Sequence, residues 1–388
     1  MKKIPYGKQQ ITQEDIDAVV EALHADFLTQ GPRITAFEEA AARLHNAAYA
    51  VAFANGTAAL HGAYYAMGIT KGDEVVSSPI TFLASTNGAL YCGARPVFAD
   101  LDPATNCIDV TKIEEKITEK TKVITPIALA GYPVDLRAIR EIADRHQCNV
   151  LLDAAHAIGS KRDGSFGMEY LDAAVLSFHP VKHVTAGEGG MVLTNRRDLY
   201  EKLLRFRSHG TTKDPEKLLR KDGPWYYEMH ELGFNYRITD IQCALGLSQL
   251  KRLEGNLRRR NEIAQRYEKE LGSIDGITLP PNVGYEIVDK PIDEVKNLHS
   301  YHLYTFGARD ADDRRKLYDY LHANGITVQI HYYPVTLQPY YREHFGFQPG
   351  DCPAAEHFYE REISLPMFHA LTDDDQTYVI EKIRAYYR

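Results

Sequence analysis

Short apolar runs and helix-periodic stretches alternate through the first half of the chain. Residues 48–54 make an apolar run of strand length, and Asn55-Gly56-Thr57-Ala58-Ala59-Leu60 turns it into a helix reaching Met67. The alternation continues with strands expected at 74–78, 96–99, 121–128 and 149–153, and helices at 83–91 and 136–146. Two more apolar runs, 173–176 and 191–193, flank a polar, glycine-rich link, and a helix is expected at 197–205. This order predicts an α/β protein whose central sheet is mostly parallel and flanked by helices. Ahead of it, Thr12 opens a helix with Asp15 at the capping-box position, and Ile16, Val19, Val20 and Leu23 share one face. The loop Phe27-Leu28-Thr29-Gln30-Gly31-Pro32 separates that helix from another at 34–44.

Beyond residue 206 the pattern loosens. Residues 208–229 are irregular and hold Gly210, Pro215, Gly223, Pro224 and the only tryptophan, Trp225. A loop that long in a compact domain is more often functional than accidental. Gly233-Phe234-Asn235-Tyr236-Arg237 leads into a helix from Thr239. The next helix, 253–271, carries Arg258, Arg259 and Arg260, expected on a solvated face. The tail reads as a strand at 301–306, a helix at 312–323, a strand at 326–330 and a helix at 373–386. That predicts a large domain over 1–252, N-terminal segment included, and a small α+β domain over 253–388.

Composition narrows the function. The 388 residues carry a formal net charge of -8, which argues against nucleic acid as the main partner. The five cysteines, 92, 107, 148, 243 and 352, show no metal-like spacing and fit a reducing compartment. Met1-Lys2-Lys3-Ile4-Pro5-Tyr6 has no apolar leader core, and no apolar run approaches membrane-spanning length, so a cytoplasmic protein is expected.

The link Ser177-Phe178-His179-Pro180-Val181-Lys182-His183-Val184-Thr185-Ala186-Gly187-Glu188-Gly189-Gly190 places one lysine between two buried strands. Such a lysine is either a desolvated amine available for Schiff-base chemistry or a solvated hairpin residue. Gly56-Thr57-Ala58, where a strand hands over to a helix, is either an anion cradle or an ordinary N-cap by Thr57. Asp153 closes a strand, so its carboxylate either enters the ligand crevice or caps the next helix; His156 lies one turn on. The pair lacks a third ligand at a sensible spacing, and no metal site is expected. Phe82 is either core or a face for a flat ring. A phosphorylated, cationic aromatic aldehyde would use cradle, plate, carboxylate and lysine together; that ligand is pyridoxal 5′-phosphate (PLP).

In order and spacing these segments resemble the nucleotide-sugar aminotransferases of PLP fold type I. The resemblance rests on Phe27 to Pro32, Asn55 to Leu60, Asp153-Ala154-Ala155-His156-Ala157, Ser177 to Gly190, and Gly233 to Arg237 with Ile241-Gln242-Cys243-Ala244-Leu245-Gly246. His331-Tyr332-Tyr333-Pro334 and Ile363-Ser364-Leu365-Pro366-Met367 look most like the branch serving pseudaminic acid biosynthesis. That branch aminates C4 of a UDP-linked 4-keto-6-deoxy-N-acetylhexosamine with L-glutamate as donor.

The resemblance implies that Lys182 carries the cofactor as a Schiff base and that Asp153 pairs with its ring nitrogen. His156 would touch the ring hydroxyl and Phe82 would stack on the ring. Gly56, Thr57, Ala58 and Ser177 would hold the phosphate, joined by Asn235 from a second subunit of a homodimer with shared active sites. Sugar contacts are expected at Tyr6, Phe27, Thr29, Trp225, His331 and Tyr332. The 208–229 loop either binds the sugar or packs on the dimer partner. His183 stands where proline is expected in near relatives. The competing readings are a dTDP- or other UDP-linked substrate, a sugar dehydratase, another fold-type-I enzyme such as a carbon–sulfur lyase, and a non-catalytic relative. Lys182 argues against the dehydratase, where histidine replaces it, and no cysteine lies in a loop of these motifs to serve a lyase.

Overall fold

The computed structural model describes residues 3–388; Met1 and Lys2, which begin the stretch read for a leader, lie outside the described residues. The central sheet has seven strands: β1 (Tyr49–Phe53), β2 (Glu74–Ser77), β3 (Arg95–Phe98), β4 (Thr121–Thr125), β5 (Asn149–Asp153), β6 (Ala173–Ser177) and β7 (Gly190–Thr194). Their spatial order is β1-β7-β6-β5-β4-β2-β3. β7 runs antiparallel to both neighbours, and the other pairs are parallel. Strands buried on both faces need side chains without polar ends, hence the continuous apolar runs. Val51, Val75, Val123, Leu151, Val175 and Val192 face one layer of the core; Ala52, Val76, Ile124, Val150, Leu152 and Leu193 face the other.

Because β6 and β7 are adjacent and antiparallel, residues 178–189 must turn back at the sheet's edge. That edge is where the parallel strands β1, β2, β4, β5 and β6 all end, so the link joins the loops that follow them. Gly190 makes the closure possible. A Cβ there would run into the Asn55 carbonyl, and only glycine lets β7 start against the helix Gly56–Ala66.

A ribbon of β8 (Thr211–Thr212) and β9 (Glu228–Met229) closes the base of the 208–229 loop. The C-terminal part builds a second core on the pair β10 (Tyr304–Gly307) and β11 (Glu362–Leu365). The helix Leu253–Leu271 joins the two cores, with Leu253 and Leu257 in the first and Ile263, Tyr267 and Leu271 in the second. The N-terminal segment reaches the second core too. Ile4 is buried there, its N–H donating to the Gly325 carbonyl at 2.9 Å.

Three expectations are corrected. Residues 326–330 form no strand; Ile326 and Gln329 make only isolated bridges, to Ile4 and to Ser364, because two different segments take the two ends. The strand expected from 301 begins at Tyr304, since the Ser300 and His302 N–H groups are drawn to the Gly131 and Ala130 carbonyls at 3.1 and 2.7 Å. Arg260 is not on a solvated face: it is 1% exposed, and its Nη1 donates to the Tyr301, His302 and Met367 carbonyls. The face that Ile16, Val19, Val20 and Leu23 share on the helix Gln13–Leu23 is largely open. Asp15 and Ala22 are buried, Asp15 holding Arg252 at 2.6 Å and Gln249 at 2.8 Å, while Ile16, Val20 and Leu23 are exposed.

Candidate active site

The carboxyl ends of the parallel strands open into one cavity of about 720 Å³. The turn after β1 brings Gly56, Thr57 and Ala58; the loop after β2 brings Thr81, Phe82 and Ser85; β5 and its extension bring Asp153 and His156. β6 and the link bring Ser177 and Lys182. From the far side come Tyr6, His302, His331 and Tyr332. Ligand sites in open α/β sheets lie at this edge, where loops of separate strands converge.

Lys182 Nζ sits 3.3 Å from His302 Nε2. Enclosure by the pocket pulls the lysine down to about 8, with the Asp153 carboxylate opposing the shift. A substantial neutral fraction is therefore present near physiological pH, as an amine nucleophile needs. Asp153 Oδ2 accepts the Ser85 hydroxyl at 2.6 Å and Oδ1 accepts the Ala155 N–H at 3.0 Å. Burial still holds its carboxyl above the usual range, against those two hydrogen bonds and Lys182. A cationic ligand group beside it would return it to the carboxylate form.

The three imidazoles around the lysine are kept neutral. Burial depresses His156, His183 and His302 well below the usual histidine value, and the nearby Lys182 adds to it. The Ala130 N–H donates to His156 Nδ1 at 3.3 Å, so the ring hydrogen is on Nε2, which meets the Tyr332 hydroxyl at 3.2 Å. Ala130 adopts φ 58°, a strained conformation for a residue with a Cβ, and that turn presents its N–H to the imidazole. His183, in the place of the expected proline, is buried with Nε2 2.7 Å from the Ser300 carbonyl, so it ties the link to the C-terminal part.

At the helix N-terminus the cap is Asn55, not Thr57. Asn55 Oδ1 accepts the Ala58 N–H at 2.9 Å, leaving the Thr57 hydroxyl out of the capping bond. The Ser177 hydroxyl flanks the same turn, 3.4 Å from where a Gly56 Cβ would lie. Phe82 is 60% exposed, a ring in the cavity wall with a free face.

Four expected site residues lie outside the chain's own cavity: Phe27, Thr29, Trp225 and Asn235 are all exposed, Trp225 to 73%. They belong to neighbouring segments. Thr29 bridges Thr239, Asn235 bridges Ser208, and the Asp240 carboxylate accepts the Gly31 N–H at 2.7 Å.

Sequence reasoning missed Ser85, Thr81, His302, Glu188 and Tyr236, which line the same cavity. Ser85 carried a faint signal, a small hydroxyl one turn beyond Phe82 at a strand's carboxyl end. His302, far off in sequence among Ser300, Tyr301 and Tyr304, carried none.

A lysine and a buried carboxylate facing one pocket at the carboxyl edge of a mostly parallel sheet, beside a helix N-terminus and an aromatic plate, define the fold-type-I PLP-dependent enzymes. Comparison with known proteins agrees: residues 9–384 match the model of the DegT/DnrJ/EryC1/StrS aminotransferase family, and the chain belongs to it. GDP-perosamine synthase of Escherichia coli O157:H7 is 34% identical over 388 residues, covering 100% of this chain and 99% of that protein. The UDP-4-amino-4,6-dideoxy-N-acetyl-beta-L-altrosamine transaminase of Helicobacter pylori is 34% identical over 375 residues, 94% of this chain and 93% of its own. The solved structure of Helicobacter pylori PseC, an aminotransferase involved in the biosynthesis of pseudoaminic acid, superposes with a TM-score of 0.90 at 31% identity, covering 100% of this chain and 99% of that one. The protein is thus a PLP-dependent sugar aminotransferase. Its residues suit that cofactor: the buried Asp153 carboxyl has no bonded cation among the described residues, and a pyridinium would supply one.

Proposed function

We propose that this enzyme moves the amino group of L-glutamate to C4 of a UDP-linked 4-keto-6-deoxy-N-acetylhexosamine, as in pseudaminic acid biosynthesis. The observation that carries the aminotransferase part is the single cavity shared by Lys182, Asp153 and the first turn of the helix Gly56–Ala66. Full-length similarity to the Helicobacter pylori transaminase supports the sugar. When bound, PLP supplies an electron-withdrawing ring that takes up the charge left when a proton leaves the amino-acid Cα.

In this reading Lys182 Nζ would hold the cofactor and would carry the proton to and from the reacting carbon. Asp153 would pair with the ring nitrogen and favour its protonated form, while Ser85 and the Ala155 N–H hold the carboxylate in place. His156 would offer its Nε2–H, which here meets the Tyr332 hydroxyl, to the ring's oxygen, and Phe82 would cover the ring face. Gly56, Thr57, Ala58 and Ser177 surround the phosphate. Tyr6, His331 and Tyr332 form the sugar side. Glutamate enters first and leaves as 2-oxoglutarate; the keto sugar then uses the same residues in reverse order, which is ping-pong kinetics.

We also propose a homodimer with shared sites. Among the described residues, Lys182 is the only lysine or arginine lining the cavity, too little for a cofactor phosphate and a sugar diphosphate. The exposed Ile16, Val20 and Leu23, with Phe27 and Leu28 after them, form an apolar patch that a second copy would cover. Asn235, with Phe27, Thr29 and Trp225, would reach the neighbouring subunit's cavity. We divide the chain functionally into 1–252 and 253–388, the second core beginning with the helix Leu253–Leu271. No helix among the described residues is long and apolar enough to cross a membrane. The five free cysteines suit a reducing compartment, and we place the enzyme in the cytoplasm.

A second reading is a GDP-linked keto sugar, favoured by the equal identity to the Escherichia coli relative. Turnover of UDP-, GDP- and dTDP-linked 4-keto sugars, each with and without glutamate, tests both. Turnover confined to the UDP substrate is expected; turnover of only a GDP- or dTDP-linked sugar would overturn the substrate assignment and leave the aminotransferase standing. Replacing Trp225 should slow the sugar half-reaction far more than the glutamate one, and equal damage would remove it from the sugar site.

A further inference from the structure

The wall behind His331 is a closed set of polar side chains. Glu362 and Ser364 lie two residues apart on β11, on the same face, and both are buried. Glu362 Oε2 accepts the His331 backbone N–H at 2.7 Å, and Oε1 accepts the Ser364 hydroxyl at 2.6 Å. Ser364 Oγ in turn lies 2.8 Å from His331 Nδ1. The serine has one hydrogen and gives it to the carboxylate, so its oxygen accepts from Nδ1–H, and Nε2 is left with a lone pair. The backbone is held as well, with the Ser364 N–H donating to the Gln329 carbonyl at 2.7 Å.

Burial pushes the Glu362 carboxyl up to about 8, opposed by those two hydrogen bonds and by Arg314, whose guanidinium donates to the Tyr359 carbonyl at 2.8 Å. In the acid form the chain reverses: the carboxyl hydrogen goes to Ser364, which donates to Nδ1, and Nε2 carries the hydrogen. In both forms the same two contacts hold the ring, and Nδ1 is never the edge free to meet a ligand. His331 lines the cavity with its ring 5.7 Å from that of Tyr6.

We propose that Glu362 and Ser364 are positioning residues for the sugar half-reaction: they fix the His331 ring so that Nε2 hydrogen-bonds a polar group of the bound sugar. The proposal rests on His331 belonging to the sugar side of the site. Burying a serine and a glutamate costs more than burying apolar residues of the same size, and here both converge on His331, its imidazole and its backbone N–H.

The test uses Ser364→Ala and Glu362→Met, which keeps the side chain's length and removes its hydrogen bonds, each alone, and Ser364→Ala also in a His331→Gln background. Both half-reactions of the holoenzyme are followed by single-turnover absorbance. Each variant should lower the sugar half-reaction's kcat/KM about ten-fold, the worth of one hydrogen bond, and leave the glutamate half-reaction within about two-fold. In the His331→Gln background Ser364→Ala should add less than about two-fold, because the imidazole it acts on is gone. Equal loss in both half-reactions, a loss undiminished in the His331→Gln background, or no loss at all overturns the proposal. His331→Gln alone reports on the reading beneath it. If that variant spares the sugar half-reaction, His331 is not in the sugar site. If it impairs the reaction and the β11 variants do not, only the positioning role falls.

Discussion

Ser85→Ala isolates what the protein does for Asp153. The Ser85 hydroxyl has two acceptors in reach, Asp153 Oδ2 at 2.6 Å and the Phe82 carbonyl at 3.1 Å; the charged, closer one takes the hydrogen. Thr81 Oγ1, 2.6 Å from Ser85 Oγ, then donates to the serine and polarises the bond. Removing Ser85 leaves the carboxylate with the Ala155 N–H alone. A hydrogen bond to a charged group contributes about 1.5–3 kcal/mol, and we take about 1.5 because the backbone donor remains. That cost falls on the charged state of Asp153, which is the state that keeps the cofactor's ring nitrogen protonated. The equilibrium constant for ring protonation should fall about ten-fold, and the rate of the glutamate half-reaction by up to as much. The assay is stopped-flow absorbance of the holoenzyme mixed with glutamate, with circular dichroism to verify the fold. A rate within about two-fold of wild type, with the fold intact, would refute the claim that Ser85 sustains the Asp153 charge.

Lys182→Ala should abolish turnover, and after borohydride reduction and digestion of wild type the pyridoxyl mass should sit on Lys182; finding it on another lysine sinks the assignment. In the cofactor-free protein Lys182 is lowered from 10.5 to about 8, so between those values the unfolded chain binds more protons than the folded one. Its contribution to stability therefore improves as pH rises through that window. Lys182→Met should be more stable than wild type at pH 7 by up to about 3 kcal/mol, the gap closing towards pH 10.5, as urea titrations across pH would measure; a gap independent of pH contradicts the shift. Mixing inactive Lys182→Ala with an inactive Asn235 variant should restore part of the activity once subunits exchange. Exchange without recovery means the two residues do not serve one site across the interface.

The alternation of β1 to β6 with helices was legible because strands buried on both faces must be continuously apolar, and that pattern is local. The placing of polar residues at strand ends was legible for the same reason: Asp153, Ser177 and Lys182 are punctuation in apolar runs, and topology sends such residues to one edge. The cap at Asn55, expected at Thr57, shows the limit of that reading: two capping residue types stand side by side, and only the backbone decides where the helix begins. What no local pattern carried was partnership between distant segments. Arg260 reads as one of three arginines on a polar helix, yet it is buried because carbonyls from residues 301, 302 and 367 converge on it. The helix Gln13–Leu23 has an apolar face that periodicity finds, but the side it buries was decided by Asp15 meeting Arg252. Residues 326–330 have strand composition and no ladder, since a strand exists only where a neighbour lies in register. The site divides the same way. That Lys182, Asp153 and the turn Gly56-Thr57-Ala58 line one cavity follows from the order of the chain. Ser85 behind the aspartate, His302 beside the lysine, and Glu362 with Ser364 behind His331 follow from folding alone, because hydrogen bonds between residues 31 to 120 positions apart leave no period in the sequence.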